Sequence, residues 1–319
     1  MVSIGVVQMQ TILTLTNLHP YLEAELPKHF RVLGASNLEE RNRLIQERGA
    51  DITGVIGAYN IPFDLKWLAH MPNLKVISSF GVGYDVYDLA CLKAKNIALS
   101  NTPSVLNDTV ADTAMALLLA ASRGLIQADK WVREGVWQSG KVFPLMSDIH
   151  HKKVGIVGLG AIGQVIAKRL TGFDADIRYF SRTAKNVPYL FEPNLKKLAQ
   201  WADVLIVITV GGPETKHLIN KEILECLGEN GVLINVARGS VVDENVLIDV
   251  LEQGKLGAAG LDVFANEPNV PSRLINLPNV VLSPHVGSAT QECRLEMAKL
   301  TLNNLIQFFE SGTLITPVV

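Results

Sequence analysis

Residues 154–163 read VGIVGLGAIG, a short apolar run that leads directly into a G-x-G-x-x-G motif. The apolar run predicts a buried strand, and the residues after the motif predict a helix. In this arrangement Gly158 forms the tight turn, Gly160 lets the backbone approach a pyrophosphate, and Gly163 lets the helix pack closely on the strand. The N-terminus of that helix supplies unpaired N–H groups to the phosphates. The stretch therefore predicts a dinucleotide-binding domain.

Downstream of this motif, apolar runs of strand length alternate with segments that carry apolar residues at helical spacing. Six parallel strands joined by helices are typical of a doubly wound Rossmann domain. The predicted strands are residues 154–159, 177–180, 204–210, 232–235, 258–261 and 280–282. The predicted helices are residues 162–170, 195–201, 221–227 and 244–253.

The first third of the chain shows the same alternation and predicts a second parallel-sheet α/β domain. Its strands are expected at residues 3–7, 30–35, 53–58, 74–80 and 97–101, and its helices at 38–48, 64–69 and 87–95. A long apolar helix is expected at 107–125 and an irregular surface segment at 131–151. The last helix, at 291–312, is expected to return to the first domain. The predicted domains are thus residues 1–100 with 291–319, and residues 101–290.

Length and composition exclude several classes of protein. The 319 residues predict two domains, and 48% hydrophobic residues with a net charge of -2 exclude disorder. The slightly acidic balance argues against nucleic acid as the main partner. The longest wholly apolar stretch, residues 114–121, is far shorter than the ~20 residues that span a bilayer, and residues 1–15 do not resemble a signal peptide. Three widely spaced cysteines are expected to be buried thiols in a reducing cytoplasm: Cys91, Cys226 and Cys293.

The end of the second Rossmann strand indicates which dinucleotide is bound. NAD-specific sites usually place an acidic residue there for the ribose 2′-hydroxyl, but this strand ends in Ser181-Arg182-Thr183. The nearby aspartates lie before the strand, at its opposite end. Arg182, flanked by two hydroxyl groups, suits a 2′-phosphate. We therefore expect NADPH to be preferred over NADH.

Three polar residues follow successive predicted strands, at the edge where open α/β sheets bind ligands. They are Arg238, Glu267 and His285. Arg238 is suited to clamp a carboxylate and to polarise a ketone oxygen. His285, as an imidazolium, is suited to protonate that oxygen during hydride transfer, and Glu267 to orient the ring and favour its charged form. Each residue alone is more simply a surface or turn residue, but together they predict reduction of a 2-oxo acid.

These motifs resemble the D-2-hydroxyacid dehydrogenase family, and most closely its glyoxylate/hydroxypyruvate reductase branch. The matching motifs are residues 158–163, 235–239, 260–268 and 283–288, and the resemblance extends over about residues 53–290. It implies that Arg238, Glu267 and His285 are the catalytic residues. It also implies a Rossmann nucleotide domain and a flavodoxin-like substrate domain with a cleft between them, and a homodimer formed through the nucleotide domain.

Further contacts follow from the same resemblance. Residues 79–85, SFGVGYD, resemble a loop whose backbone N–H groups hold the substrate carboxylate, and a Gly-x-Gly turn after a strand offers such donors. The expected substrate contacts are Ala58, Val82 and Gly83, besides Arg238 and His285. The expected cofactor contacts are Val110, Gly158, Gly160, Ala161, Ile162, Gly163, Ser181, Arg182, Thr183, Val210, Pro213, Val236, Ala237, Asp262 and Gly287.

Other functions remain open on the sequence alone. A bulkier 2-oxo acid, such as an aryl-pyruvate, would use the same residues, since the sequence does not give the size of the pocket. A dinucleotide-sensing protein like the corepressors that share this resemblance would keep the same motifs without needing turnover. Oxidation of D-3-phosphoglycerate or of formate is disfavoured. No metal is expected, because His150 and His151 are adjacent and have no third ligand near in sequence.

Overall fold

The computed structural model describes residues 9–35, 37–58 and 60–319, so the predicted strand at residues 3–7 lies outside the described residues. The chain forms two compact units. The first runs to Leu106 and resumes with Ala289–Val319, and the second is Asn107–Ser288. Each unit contains one parallel β-sheet with helices packed on it, which confirms the predicted fold class of two parallel-sheet α/β domains.

The sheet of the first unit has the strand order β2-β1-β3-β4-β5, and each neighbouring pair is parallel. The order reverses between β1 and β3, which makes this a doubly wound sheet with a switch point at its centre. The strands are β1 (Thr11–Thr14), β2 (Arg31–Gly34), β3 (Ile52–Ala58), β4 (Val76–Phe80) and β5 (Ala98–Ser100). The α-helices before residue 107 are α1 (Pro20–His29), α2 (Leu38–Arg48) and α3 (Leu89–Ala94).

Two elements of the first unit were not predicted, β1 and α1. β1 reads TILT, so it has only two apolar residues between two threonines, yet it is buried along its whole length. α1 contains Pro20 and Pro27, which favour a loop on sequence grounds. Pro20 lies at the first helical position, where a missing N–H costs nothing, and Leu22 and Leu26 are buried on the sheet. Tertiary burial therefore outweighs the local signal.

The predicted helix at 64–69 is a 3-10 helix, Leu65–Ala69.

The sheet of the second unit has the order β12-β11-β10-β9-β6-β7-β8, with seven strands among the described residues. Six of them correspond to the predicted strands, and the two-residue β8 was missed because it is too short to carry a pattern. The strands are β6 (Lys153–Val157), β7 (Asp176–Phe180), β8 (Leu190–Phe191), β9 (Val204–Val207), β10 (Val232–Asn235), β11 (Ala258–Leu261) and β12 (Val280–Leu282). The helices are α4 (Asn107–Arg123), α5 (Leu125–Arg133), α6 (Ala161–Leu170), α7 (Leu195–Trp201), α8 (Lys221–Leu227), α9 (Glu244–Glu252) and α10 (Ser272–Ile275).

The segment after α4 is more regular than predicted. The chain continues after Gly124, whose φ of +58° ends α4, into α5 at an angle of 62°. The start of the predicted irregular stretch at 131–151 is therefore helical. No single helix in the described ranges is long and apolar enough to cross a membrane, although the bent pair α4–α5 passes that test on length and composition.

The last helix, α11 (Gln291–Ser311), belongs to the first unit. Thr290 caps its N-terminus by accepting from the Cys293 N–H, and Gly312 ends it with a φ of +76°. Buried side chains of α11 join Ile12, Ile56 and Val76 of the sheet in one core cluster.

The prediction of three buried thiols is only partly right. None of the three forms a disulfide bond among the described residues, but Cys91 and Cys226 are half-buried and only Cys293 is buried.

Candidate active site

The three predicted catalytic residues follow three adjacent strands of the second unit. Arg238 follows β10, Glu267 follows β11 and His285 follows β12, and these strands are neighbours in the sheet. Because all three strands are parallel, their carboxyl ends lie at one edge. The fold therefore brings together residues that are 47 positions apart in the chain.

Glu267 and His285 are hydrogen-bonded to each other. The Glu267 Oε2 lies 2.7 Å from the His285 Nδ1, while the Glu267 Oε1 accepts the Phe264 N–H at 3.0 Å. Burial acts to raise the pKa of Glu267, but the hydrogen bonds from His285 and Phe264 and the positive charges of His285 and Arg238 outweigh it. The pKa of Glu267 is consequently lowered, so its carboxylate is ionised at neutral pH.

We expect Glu267→Gln to destabilise the protein in a pH-dependent way. Since folding lowers the pKa of Glu267, the stabilisation is complete above the unfolded value of ~4.3 and is lost as the pH falls through the folded value. At pH 7 the variant should melt lower by ~2–5 °C, the range for losing about one charged hydrogen bond. Melting curves of both proteins between pH 7 and pH 3 should therefore converge in acid. A difference that stays constant or grows in acid would contradict this account.

The loop that carries His285 is held by a buried aspartate. Asp262 is 2% exposed, and its Oδ1 accepts the Ser283 hydroxyl at 2.6 Å and the Val286 N–H at 2.9 Å. Its Oδ2 accepts the Gly287 N–H at 2.8 Å. These bonds bracket His285, whose φ of +53° lies in the left-handed region. Asp262 thus positions the histidine loop, a role that the sequence analysis did not assign; its expected cofactor contact stays a prediction.

The turn that carries Arg238 is fixed in a similar way. Asn235, which is buried, accepts the Ala237 N–H at 3.1 Å and donates to the Arg238 carbonyl oxygen at 3.1 Å. The Arg238 Nη1 donates to the Ala237 carbonyl oxygen at 2.8 Å. A Cβ on Gly239 would overlap the backbone carbonyl of Phe264, so this turn packs directly against the turn leading to Glu267. Asn235 belongs to the motif at residues 235–239, but the sequence did not indicate that it positions the turn.

The glycine motif adopts a conformation suited to a dinucleotide. It links β6 to α6, and β6 lies where the strand order of the sheet reverses. Gly158 has a φ of +101° and packs so closely that a Cβ would lie 2.8 Å from the Ile208 carbonyl oxygen. A Cβ on Gly163 would overlap the Gly158 carbonyl oxygen, whereas one on Gly160 would meet nothing within 4 Å. The motif is thus tightly packed on two sides and open at Gly160, as close approach of a phosphate requires.

Substitution of the second and third glycines of the motif is expected to separate stability from binding. Gly160→Ala should leave the melting temperature within about 1 °C, because the added methyl enters open space at an ordinary φ of −75°. It should still weaken dinucleotide binding at least ~10-fold, because the methyl projects where a pyrophosphate would lie. Gly163→Ala should instead lower the melting temperature by ~2–10 °C through overpacking. Melting curves and calorimetric titration with NADPH test both, and a destabilised Gly160 variant that binds normally would contradict the assignment.

Three of the predicted cofactor residues meet beside the histidine loop. A Cβ on Gly287 would lie 2.9 Å from the Asp262 Oδ2 and 3.6 Å from a methyl of Val110. The Thr113 hydroxyl of α4 donates to the Gly287 carbonyl oxygen at 3.4 Å. The start of α4 and the histidine loop therefore form one cluster. Of the remaining predicted contacts, Ala161 and Ile162 open α6, Val236 and Ala237 are buried after β10, and Val210 and Pro213 lie in the loop after β9.

The loop after β7 contains cations and no acid. Arg182 is exposed and, among the residues that the structure describes, has no carboxylate partner. The Ser181 hydroxyl donates to the Thr183 carbonyl oxygen at 2.6 Å, which closes the loop on itself. Lys185 follows, with its backbone N–H donating to the Tyr179 hydroxyl at 2.7 Å. Lys185 is a second cation on this loop that the sequence analysis did not single out, and its proximity to Arg182 in sequence was the available signal.

The predicted substrate loop belongs to the first unit. The Asn101 side chain donates to the Val82 carbonyl oxygen at 2.8 Å, and the Thr102 N–H donates to the Gly81 carbonyl oxygen at 2.9 Å. The carbonyl oxygens of this turn are thus held, while no described group accepts the N–H of Val82 or Gly83. We predict that these two adjacent N–H groups, which belong to half-buried residues, bind an anion as a backbone nest. Ala58, the other expected substrate contact, is buried at the end of β3.

Comparison with known proteins gives one consistent result. The model of the D-isomer specific 2-hydroxyacid dehydrogenase family, NAD binding domain, matches residues 115–287. A glyoxylate/hydroxypyruvate reductase A of Arabidopsis thaliana and a hydroxyphenylpyruvate reductase of Plectranthus scutellarioides are each 43% identical, over 100% of both chains. The crystal structure of an NADPH-dependent glyoxylate/hydroxypyruvate reductase of Sinorhizobium meliloti, in complex with NADP and malonate, matches with a TM-score of 0.93 and 39% identity, over 98% of this chain and 97% of that one.

Proposed function

Because the chain belongs to the D-isomer specific 2-hydroxyacid dehydrogenase family, and is thus an NAD(P)-dependent oxidoreductase, we propose that it reduces a small 2-oxo acid of the glyoxylate or hydroxypyruvate type with NADPH. The product is the D-2-hydroxy acid. The observation that carries this proposal is the 2.7 Å contact between Glu267 and His285. These two residues follow β11 and β12, and Arg238 follows β10, the strand next to β11. Reduction of a 2-oxo acid requires a proton donor and a cation near the ketone oxygen, and a histidine oriented by a carboxylate, together with an arginine, supplies both.

Each residue of this set has a defined task in the proposed reaction. A bound NADPH supplies the hydride that reduces the C2 carbon of the acid. Arg238 donates to the substrate carboxylate and to the ketone oxygen, which stabilises the negative charge that develops there. His285 donates a hydrogen bond from Nδ1 to the Glu267 carboxylate and delivers a proton to the ketone oxygen through Nε2. Glu267, ionised at neutral pH, keeps the ring oriented.

In the first unit, the substrate domain of this proposal, the N–H groups of Val82 and Gly83 would hold the substrate carboxylate, with Ala58 beside them. Their support is the turn described above, in which the neighbouring carbonyl oxygens are already engaged. The second unit serves as the dinucleotide domain. This division of roles follows the predicted domains, residues 1–100 with 291–319 and residues 101–290.

The preference for NADPH rests on the loop after β7. A 2′-phosphate carries close to two negative charges and is bound well by a guanidinium next to hydroxyl groups. Arg182 lies between Ser181 and Thr183 on this loop, and Lys185 adds a second cation. An NAD site would place a carboxylate here, and that carboxylate would repel the phosphate.

We expect Arg182→Ala to weaken NADPH binding at least ~10-fold, the value of one charge-assisted hydrogen bond. NADH, which lacks the 2′-phosphate, should bind the variant within about twofold of its wild-type affinity. Calorimetric titration with both dinucleotides measures the two dissociation constants, so NADH serves as the internal control. Equal losses for both would remove Arg182 from the phosphate site.

The proposed assembly is a homodimer formed through the dinucleotide domain. Residues 125–146 expose several large apolar side chains, including Leu125 at 58%, Val132 at 58%, Trp137 at 69% and Leu145 at 99%. An apolar segment of this extent favours burial against another protein surface. A second copy of the chain is the partner that the family resemblance implies, and sedimentation equilibrium tests it. The proposed location is the cytoplasm, since cysteines that form no disulfide bond among the described residues are typical of a reducing compartment.

Initial rates of nicotinamide oxidation test the proposed function directly. The purified protein would be assayed with glyoxylate, hydroxypyruvate, pyruvate and an aryl-pyruvate, each with NADPH and with NADH. Rapid oxidation of NADPH with glyoxylate or hydroxypyruvate supports the proposal. Rapid oxidation only with the aryl-pyruvate would assign a bulkier substrate. Tight NADPH binding without turnover on any acid would overturn the enzyme proposal in favour of a dinucleotide-sensing protein.

A further inference from the structure

The first unit contains a pocket at the switch point of its own sheet. Ligands of open α/β sheets bind outside the carboxyl ends of the strands, where the strand order reverses. In this unit the reversal lies between β1 and β3. A pocket of about 210 Å³ opens there, lined by residues that follow β1 (Thr16, Leu18 and His19) and by Ile56 near the end of β3 and Phe80 at the end of β4. Its position is therefore the expected ligand position for this sheet.

The chemistry of the pocket combines apolar walls with one cation. Arg294, in the first turns of α11, lines the pocket with its guanidinium 5.6 Å from the centre of the Phe80 ring. Among the described residues, no carboxylate or other acceptor pairs with this guanidinium. The guanidinium lies within cation–π distance of the Phe80 ring and keeps its N–H donors for a ligand oxygen.

The pocket adjoins the predicted substrate loop. Phe80 lines the pocket and is followed directly by Gly81, Val82 and Gly83, whose backbone forms the predicted nest. A 2-oxo acid with its carboxylate at the nest would carry the groups beyond C3 at the same edge of this sheet. A ~150 Å³ apolar cavity holds a benzene molecule, so about 210 Å³ accommodates a single phenol ring.

We propose that this pocket binds the tail of the 2-oxo acid and that Arg294 donates a hydrogen bond to an oxygen at the end of that tail. The ligand class is a 2-oxo acid with an apolar body and a terminal oxygen, of which a para-hydroxylated aryl-pyruvate is the simplest example. Leu18, Ile56 and Phe80 contact the body of the tail. This inference rests on the proposed function, since it extends the substrate class of the same site.

The test compares two acids that differ only in the terminal oxygen, 4-hydroxyphenylpyruvate and phenylpyruvate. In the wild type, kcat/KM for the hydroxylated acid should exceed that for phenylpyruvate at least tenfold, because the donors of Arg294 are unsatisfied by the shorter acid. In Arg294→Met, which keeps the apolar stem and removes the charge, this ratio should fall to within threefold of one. Arg294→Lys should give an intermediate ratio. Arg43→Met, which removes an exposed arginine on α2, is the matched control and should retain the wild-type ratio.

The outcomes separate the pocket from the proposed function. An Arg294→Met variant with an unchanged ratio overturns the role of Arg294, and so does a wild type that reduces glyoxylate rapidly but neither aryl-pyruvate. If the wild type reduces no acid at all, the proposed function fails, and calorimetric titration with the same two acids decides the pocket. Binding of 4-hydroxyphenylpyruvate that is at least tenfold tighter than that of phenylpyruvate, and is weakened to that level in Arg294→Met, supports the pocket. Binding that does not depend on Arg294 overturns it.

Discussion

Replacement of His285 by asparagine is expected to lower turnover in the reductive direction at least ~10²-fold, the usual contribution of a positioned general acid. Asparagine has no ionisable proton to deliver to the ketone oxygen. It is also the replacement best suited to this position, because His285 has a φ of +53° and asparagine adopts the left-handed region more readily than most residues. The fold of the histidine loop should survive, since its bonds to Asp262 come from Ser283, Val286 and Gly287.

Two measurements separate a lost proton donor from a damaged site. The His285→Asn variant should bind NADPH within about threefold of the wild-type affinity and should melt within a few degrees of it. Turnover within tenfold of the wild type would remove His285 from the role of acid.

The second large effect is expected at Arg238. We expect Arg238→Gln to lower kcat/KM for the 2-oxo acid by ~10²–10³, the range for removing one preorganised donor from a developing oxyanion. Both KM and kcat should change, because the guanidinium is proposed to bind the carboxylate in the ground state and to stabilise the ketone oxygen in the transition state. Steady-state rates over a range of acid concentrations, at saturating NADPH, separate the two parameters.

The conservative variant supplies the control for this prediction. Arg238→Lys keeps a positive charge but loses the planar fork, so it should recover part of the loss in KM and little of the loss in kcat. The turn itself should be retained in both variants, because Asn235 holds its backbone independently of the guanidinium. A glutamine variant with kcat/KM within tenfold of the wild type would show that the substrate is clamped elsewhere.

The contacts around the active site show why isolated residues are poor guides to this chemistry. The pKa of Glu267 is lowered, against the effect of its burial, by hydrogen bonds from His285 and Phe264 and by the charge of Arg238, and only the Phe264 contact is local in sequence. Asp262 and Asn235 do not belong to the proposed proton or hydride path, yet they hold the loops that carry His285 and Arg238. Their substitution would be expected to act through loop position, which is a different failure from the loss of a reacting group.

Several parts of the fold were predictable because their signals are local. The helix α2 was predicted with its observed bounds, since its apolar residues recur at helical spacing and Asn37 caps its first turn. The strands β10, β11 and β12 were also predicted with their observed bounds, because buried parallel strands read as short continuous apolar runs. The strand, glycine turn and helix around Gly158 were predictable from the local sequence alone.

Other parts could not be predicted because no local signal supports them. The strand β1 and the helix α1 depend on burial against the rest of the first unit, although β1 has only two apolar residues and α1 contains two prolines. The strand β8 exists only as two residues paired with β7. The break at Gly124, which separates α4 from α5, is a left-handed glycine in a stretch whose composition is otherwise helical.

The sequence by itself determined the fold class, the position of the dinucleotide motif and the identity of the three polar residues that follow neighbouring strands. The periodicity of apolar residues and the spacing of glycines carry these features. The three polar residues could be grouped because parallel strands present their carboxyl ends at one edge of a sheet. The tertiary structure alone decided the 2.7 Å contact between Glu267 and His285, the lowered pKa of Glu267, the role of Asp262 and the placement of Arg294 over Phe80. The physical reason is that these interactions join residues 18 to 214 positions apart, and their distances and burial depend on how the strands and helices pack.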